Sequence, residues 1–372
     1  MDFSLTDEQR ALTDLAAQIF KDLSPLERLK AVEQSEGGYD QTLWAELAKA
    51  GLLAAALPEE YGGSGGGFLE LCLLLQEQGR RAAMVPIVPT LAGAALPLVR
   101  FGTQAQKDRW LRDVAAGKAI LSAALMEPGG DPRQPTTRAI PDGTGFRLTG
   151  VKSGVPVAQA AAAVVVPARM PDGRVAVFFV DPKAAGTTLE RQRPMNWEPQ
   201  FRLRLADVKV GADGVLGPID QGAAVLDWIV DRVTVALCAQ ASGVGAEALR
   251  LTAEYASNRK QFDKPIAMFQ AVGQRMADTF IDNQAVNLTM LQAASRLADE
   301  IPSPKEVAIA KFWAADGGNR IGHTALHIHG GISIDVDYPV HRYFLWLKTI
   351  ENTLGAATPQ LVRLGEQIAA EA

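Results

Sequence analysis

The stretch Tyr255-Ala-Ser-Asn-Arg259-Lys-Gln261-Phe262-Asp-Lys-Pro265-Ile-Ala-Met-Phe269-Gln270 holds the most chemistry in the chain. A guanidinium at a helix end, followed by a polar turn, suits an anionic diphosphate. On residue types alone, a charged helix-turn-helix surface accounts for it equally well. All four histidines fall between 323 and 341. His323 and His327 stand one helical turn apart and His329 follows, a spacing that metal sites use. No acidic or cysteine ligand stands at helical spacing beside them and Gly330-Gly331 breaks the chain at once, so the expectation is a helix end beside a bound ligand, with no metal. Gly243-Val-Gly245-Ala-Glu-Ala248 matches the dinucleotide fingerprint in its GxGxxA form, but it lies inside a continuous helical pattern with no strand before it. Close helix packing is the better reading. The glycines between 62 and 67 lack the Gly-Lys-Ser/Thr ending of a phosphate loop and read as a connector.

The elements that must position these groups change type twice along the chain. Residues 1 to about 120 read as helices. Thr6 is an N-cap ahead of acidic first-turn residues, Leu12, Leu15, Ala16 and Phe20 fall at helical spacing, and further helices are expected over Leu91–Val99 and Gln104–Ala116. From 121 to about 215, Phe146–Gly150, Ala162–Pro167 and Val175–Val180 are short β-branched or alternating runs. Asp142-Gly143 and Asp172-Gly173 turns separate them, as antiparallel strands require. Long helical segments return from about 221. Domains are therefore expected over 1–120, 121–220 and 221–372, in an α+β arrangement.

The chain has 372 residues, a net charge of −5 and two cysteines, Cys72 and Cys238. A hydrophobic fraction of 48% with 21% charged residues excludes wholesale disorder. The mildly acidic balance gives no footprint for nucleic-acid binding. Two distant cysteines without a CxxC argue against a disulfide framework or a zinc knuckle. The polar N-terminus reads as no signal peptide, no uncharged apolar run reaches membrane-spanning length, and a cytoplasmic location is expected.

Taken in order, seven segments resemble the acyl-CoA dehydrogenase family over nearly the whole chain: Phe3-Ser-Leu-Thr-Asp-Glu-Gln9, Leu57-Pro-Glu-Glu-Tyr-Gly-Gly63, Gly102-Thr-x-Ala-Gln-Lys107, Leu125-Met-Glu127-Pro128-Gly-Gly130, Leu148-Thr-Gly-Val-Lys152, the Arg259–Gln270 stretch, and His329-Gly330-Gly331 with Tyr338-Pro339-Val340. The resemblance implies a helical N-terminal domain, a central antiparallel β-barrel and a C-terminal four-helix bundle, with FAD at a subunit interface. It implies a reaction in which a carboxylate takes the α-proton of an acyl-CoA thioester while the β-hydride passes to the flavin, with an electron-transfer flavoprotein as acceptor. The residues it assigns to the cofactor are Arg259, Gln261, Phe262, Phe269, Gln270, His327, Gly330, Gly331, Thr358 and Gln360.

The departures from the family pattern are as informative. Where relatives carry the catalytic Glu, this chain has Ala356, or Leu354 on a second count. At the alternative base position it has Val233, with Asp231 as the nearest acid and the sole candidate there. The flavin-facing Thr-Glu-Pro is Met126-Glu127-Pro128, and Trp-Ile-Thr is Gly154-Val155-Pro156. A chain that keeps the diphosphate-side residues but not the base resembles one subunit of the bacterial heterotetrameric members that act on steroid side-chain CoA esters, a homologous subunit supplying the base. Two other readings stand beside it: a self-sufficient homotetramer using Asp231 or Glu351, and a non-catalytic acyl-CoA-binding scaffold.

Overall fold

The computed structural model describes residues 3–371; Met1, Asp2 and Ala372, the outermost residues of the first and last expected domains, lie outside the described residues. In chain order the elements are α1 (Asp7–Leu23), α2 (Leu26–Glu33), α3 (Gln41–Lys49), α4 (Phe68–Arg81), a π-helical turn over Val88–Ala95 running into α5 (Leu96–Phe101), and α6 (Gln104–Ala115). The strands follow as β1 (Leu121–Ala123), β2 (Arg138–Asp142), β3 (Gly145–Pro156), β4 (Ala163–Arg169), β5 (Val175–Val180), β6 (Thr187–Gln192) and β7 (Gln200–Val210). The chain then returns to helix in α7 (Gly222–Asn258), a two-stranded hairpin β8 (Lys260–Gln261) and β9 (Lys264–Pro265), α8 (Gln270–Ala298), α9 (Pro304–His329), α10 (Val340–Asn352) and α11 (Ala357–Glu371). These elements form two compact units. One comprises residues through Leu26, Cys72–Ala83 and the chain from Thr234 onward; the other comprises Glu27–Leu71 and Met84–Val233.

Local signals set the helix starts. The Thr6 hydroxyl accepts from the Gln9 amide at 3.2 Å while the Gln9 side chain accepts from the Thr6 amide at 3.0 Å. That reciprocal pair satisfies two otherwise orphaned donors. Thr103 and Gln106 do the same for α6. The helix expected over Leu91–Val99 is instead wide-turned to Ala95 and α-helical only from Leu96.

In the first unit α4 and α7 cross with their backbones touching. A Cβ at Gly79 would fall 2.2 Å from the Gln240 carbonyl oxygen, and one at Gly243 would fall 1.9 Å from that of Gln76. The GxGxxA pattern is thus a packing surface. Its flanks are polar: Gln240 Nε2 donates to Gln78 Oε1 at 3.0 Å, and Gln76 Nε2 to Asn287 Oδ1 at 2.7 Å.

In the second unit the strands form a sheet in the order β1-β4-β2-β3-β7-β6, with β5 also on β4. The hairpins β2–β3 and β4–β5 are antiparallel, as their turns require, with Gly143 and Gly173 at positive φ. The expected antiparallel barrel is corrected in two respects. β1 and β2 pair with β4 in parallel, so the sheet is mixed, and among the described residues the ladder ends at β5 and β6 without closing. Turn chemistry encodes neighbouring hairpins, whereas parallel pairing joins strands distant in sequence and leaves no local signal. Leu148, Val155, Val164, Phe178, Leu203 and Val208 form the buried face of the sheet. The polar β6, Thr-Thr-Leu-Glu-Arg-Gln, makes a solvated edge.

Candidate functional site

Two groups of residues bear on function, one in each unit. In the helical unit, Arg259 leaves α7 with its amide donating to the Tyr255 carbonyl at 2.8 Å, and its own carbonyl accepts from Ile266 at 2.8 Å. This closes the β8–β9 hairpin. Phe262 and Asp263 at its tip have φ of 52° and 65°, a left-handed pair that costs a non-glycine residue energy. Phe262 is 88% exposed and meets Phe269 edge-on, ring centroids 6.2 Å apart. Lys264 Nζ lies 4.4 Å from the Phe269 ring centroid. Arg259, Gln261 and Gln270 are all exposed, and among the described residues Arg259 has no carboxylate partner.

The other half of this surface is the end of α9. Gly330 terminates the helix at φ 64°, and a Cβ at Gly330 or Gly331 would meet nothing within 4 Å, so the backbone there is open to an approaching group. A guanidinium, two primary amides and an open glycine turn fit a diphosphate. His327 is exposed on the last turn of α9, whereas His329 is buried. His323 packs edge-on against Phe344, ring centroids 5.0 Å apart, which accounts for one member of the metal-like spacing. Thr358 is exposed, but Gln360 turns inward, its Nε2 donating to the Leu354 carbonyl at 3.0 Å. Gln360 therefore shapes the loop at Leu354-Gly355, both at positive φ, and its donor is spent there.

In the sheet unit, Met126 and Ser153 form a bridge, the Ser153 amide donating to the Met126 carbonyl at 2.9 Å. The Met126-Glu127-Pro128 and Gly154-Val155-Pro156 segments are thus neighbours in space. Between Lys152 and Val155 the β3–β7 register shifts, and Gly154 takes φ 62°. Gly154 thus sits in a bulge and carries no side chain. Its amide donates to Gln192 Oε1 at 2.8 Å. Neither a hydroxyl nor an aromatic ring is offered at these two positions.

Beneath them lies a buried ion pair that the residue types alone did not reveal. Lys152, fully buried, donates to Glu127 Oε1 at 2.7 Å and to the Pro167 carbonyl at 2.7 Å. Thr137 bonds the same carboxylate oxygen through amide and hydroxyl, and Thr136 bonds the other. Burial pushes the Glu127 carboxyl up, but the Lys152 ammonium and these donors outweigh it and hold it down at about 2.

Both candidate bases are engaged. Asp231 Oδ1 accepts from Arg133 Nη2 at 2.5 Å, and Asp227 takes the other Nη of that guanidinium. Glu351 Oε2 accepts from Lys348 Nζ at 2.6 Å. Val233 is buried and Ala356 carries no ionisable group. Arg133 was missed from sequence because nothing local in Asp131-Pro132-Arg133 says which helix it will reach.

An α+β chain of N-terminal helices, a central mixed sheet and a C-terminal helical bundle has the architecture of an acyl-CoA dehydrogenase. The family descriptions "Acyl-CoA dehydrogenase, N-terminal domain" and "Acyl-CoA dehydrogenase, C-terminal domain" match residues 6–118 and 220–369. The acyl-CoA dehydrogenase FadE27 of Mycobacterium tuberculosis is 38% identical over 99% of both chains. Among solved structures, a variant of the Tcur3481–Tcur3483 steroid acyl-CoA dehydrogenase superimposes with a TM-score of 0.93 at 44% identity over 98% of both chains. The ChsE4–ChsE5 complex from M. tuberculosis does so with a TM-score of 0.94 at 38% identity over 99% of both. The chain belongs to the acyl-CoA dehydrogenase family, and FAD-dependent α,β-dehydrogenation of an acyl-CoA thioester is its chemistry.

Proposed function

We propose that this chain is the base-lacking subunit of a heteromeric acyl-CoA dehydrogenase, with a homologous partner subunit supplying the catalytic carboxylate and the ring-side contacts. The observation that carries this reading is the state of the fallback acids: Asp231 is held by Arg133 and Glu351 by Lys348, while Ala356 and Val233 occupy the base positions. An acid tied to a neighbouring cation is engaged in holding the fold and is not presented to a substrate. In this reading Arg259, Gln261 and Gln270 bind the diphosphate, Phe262 and Phe269 pack against the nucleotide, and His327, Gly330, Gly331 and Thr358 line its approach. Gln360 holds the adjoining loop. Bound FAD supplies the hydride acceptor; this chain binds and orients the nucleotide.

A steroid side-chain CoA ester is the substrate class we assign, on the 44% identity to a steroid acyl-CoA dehydrogenase. An electron-transfer flavoprotein is the acceptor we assign, and the cytoplasm the location. Residues 1–120, 121–220 and 221–372 are taken as the three domains, the last as a four-helix bundle.

The test is the visible spectrum of the purified chain alone and after co-expression with its homologous genomic neighbour. A colourless lone chain and a yellow, substrate-bleachable complex are expected. A lone chain that is yellow and bleaches with an acyl-CoA overturns the proposal and returns the base to Asp231 or Glu351.

A further inference from the structure

Deep in the helical unit, His329 is 3% exposed at the last residue of α9. Its Nδ1 lies 2.8 Å from the Ala325 carbonyl oxygen, which can only accept, so Nδ1 carries the proton and the ring is the neutral Nδ1–H tautomer. Nε2 is then an acceptor. It is buried, and among the described residues it has no hydrogen-bond partner. Burial lowers the imidazole's affinity for a second proton, which keeps this tautomer in place. The ring stacks on Tyr255, centroids 4.5 Å apart at 27°, and leans on Tyr338 at 5.3 Å on a tilt.

A hydrocarbon ring would fill the same space without leaving a buried acceptor unpaired, so the imidazole is kept for what Nδ1 and the stack do together. Tyr255 is the residue whose carbonyl holds the Arg259 amide. Gly330, directly after His329, opens the glycine turn. A single ring therefore joins the segment that aims Arg259 to the segment that ends in Gly330-Gly331, and its Nδ1 bond fixes the ring's angle to both. Tyr255 and His329 are 74 residues apart in sequence, and their stack joins the two segments.

We propose that His329 is the positioning residue of the dinucleotide-binding surface, setting the distance between the Arg259 guanidinium and the Gly330-Gly331 turn. The inference rests on the reading above that these groups face FAD, and the experiment separates the two. In the complex with the homologous subunit, freed of flavin and retitrated with FAD, the dissociation constant is measured by flavin fluorescence, and assembly is followed by light scattering. The variants are His329→Phe, which keeps the stack but loses the Nδ1 donor, His329→Asn, which keeps a donor but loses the stack, Arg259→Ala, and the His329→Phe/Arg259→Ala double variant.

Either His329 variant is expected to weaken FAD binding about tenfold or more with assembly intact. The double variant is expected to be little worse than Arg259→Ala alone, since coupled residues are non-additive. A purely structural role for His329 would not produce that coupling. FAD affinity unchanged in His329→Phe, or full additivity in the double variant, overturns the proposal. FAD affinity unchanged in Arg259→Ala overturns instead the assignment of this surface to FAD. His329→Phe preserves the ring's volume, so the test stands even where His329→Asn fails to assemble.

Discussion

Arg133 and Asp231 are joined by a 2.5 Å bond from Nη2 to Oδ1, and Arg133 sits on a loop while Asp231 sits on α7, 98 residues further on. The same guanidinium takes Asp227 one helical turn earlier. The acid that the chain could have used as a base is thus part of a latch between a loop and a helix.

That relationship predicts the outcome of removing it. In the assembled complex, Asp231→Asn is expected to leave kcat within ~2-fold while lowering the melting temperature, because the residue contributes to structure and not to transition-state stabilisation. Glu351→Gln, which loses the Lys348 contact and the charge near Lys311, is expected to behave alike. Steady-state turnover and calorimetry on the same preparations check this, and a loss of kcat by orders of magnitude in either variant would identify the base.

Glu127→Gln leaves the Lys152 ammonium, which has no exposed surface, without a counter-charge. Breaking a buried pair from one side costs ~3–5 kcal/mol. Urea denaturation should register a loss of that order, with one of Thr136 and Thr137 facing an amide NH2 in place of its acceptor oxygen.

The same carboxylate gives a pH dependence. Its folded pKa is about 2 against an ordinary 4.5, so it is a depressed acid. The stabilisation it provides is complete above the unfolded value and is lost as pH falls from roughly 5 toward 2. Unfolding free energy followed over that range should decline in the wild type more steeply than in Glu127→Gln.

Gly243→Ala tests the helix crossing. A methyl group there would sit 1.9 Å from the Gln76 carbonyl oxygen, so α4 and α7 must separate. Overpacking of this kind costs ~1–3 kcal/mol, more than the ~1 kcal/mol that alanine returns in helix propensity. Thermal unfolding should show a net destabilisation. A stabilised variant would mean that the crossing is loose.

Lys311 provides a fifth check. Its ammonium is fully buried and donates to the Ile350 carbonyl at 2.6 Å and to that of Glu351 at 3.1 Å, closing the end of α10 ahead of the Leu354-Gly355 turn. Burial pushes its pKa down to about 8. A basic group lowered in the fold releases its proton more readily there than in the unfolded chain, so stability should rise between about 8 and 10.5. Lys311→Met should abolish that rise and, by leaving two carbonyls without their donor, lower stability at neutral pH in chemical denaturation.

The helix starts at Thr6 and near Gln104, the hairpin turns at Gly143 and Gly173, and the turn after Arg259 were legible in the chain, because a cap or a turn is decided by residues within a few positions of one another. That neither Ala356 nor Leu354 carries an ionisable group was legible as well: a missing side chain is missing in any fold. The parallel pairing of β1 with β4, the bulge at Gly154, the capture of Asp231 by Arg133 and the stack of His329 on Tyr255 were decided by the tertiary structure alone. Each joins segments tens of residues apart, or depends on a register set by such a partner, and neither spacing nor residue type records which distant group a buried charge or ring will meet.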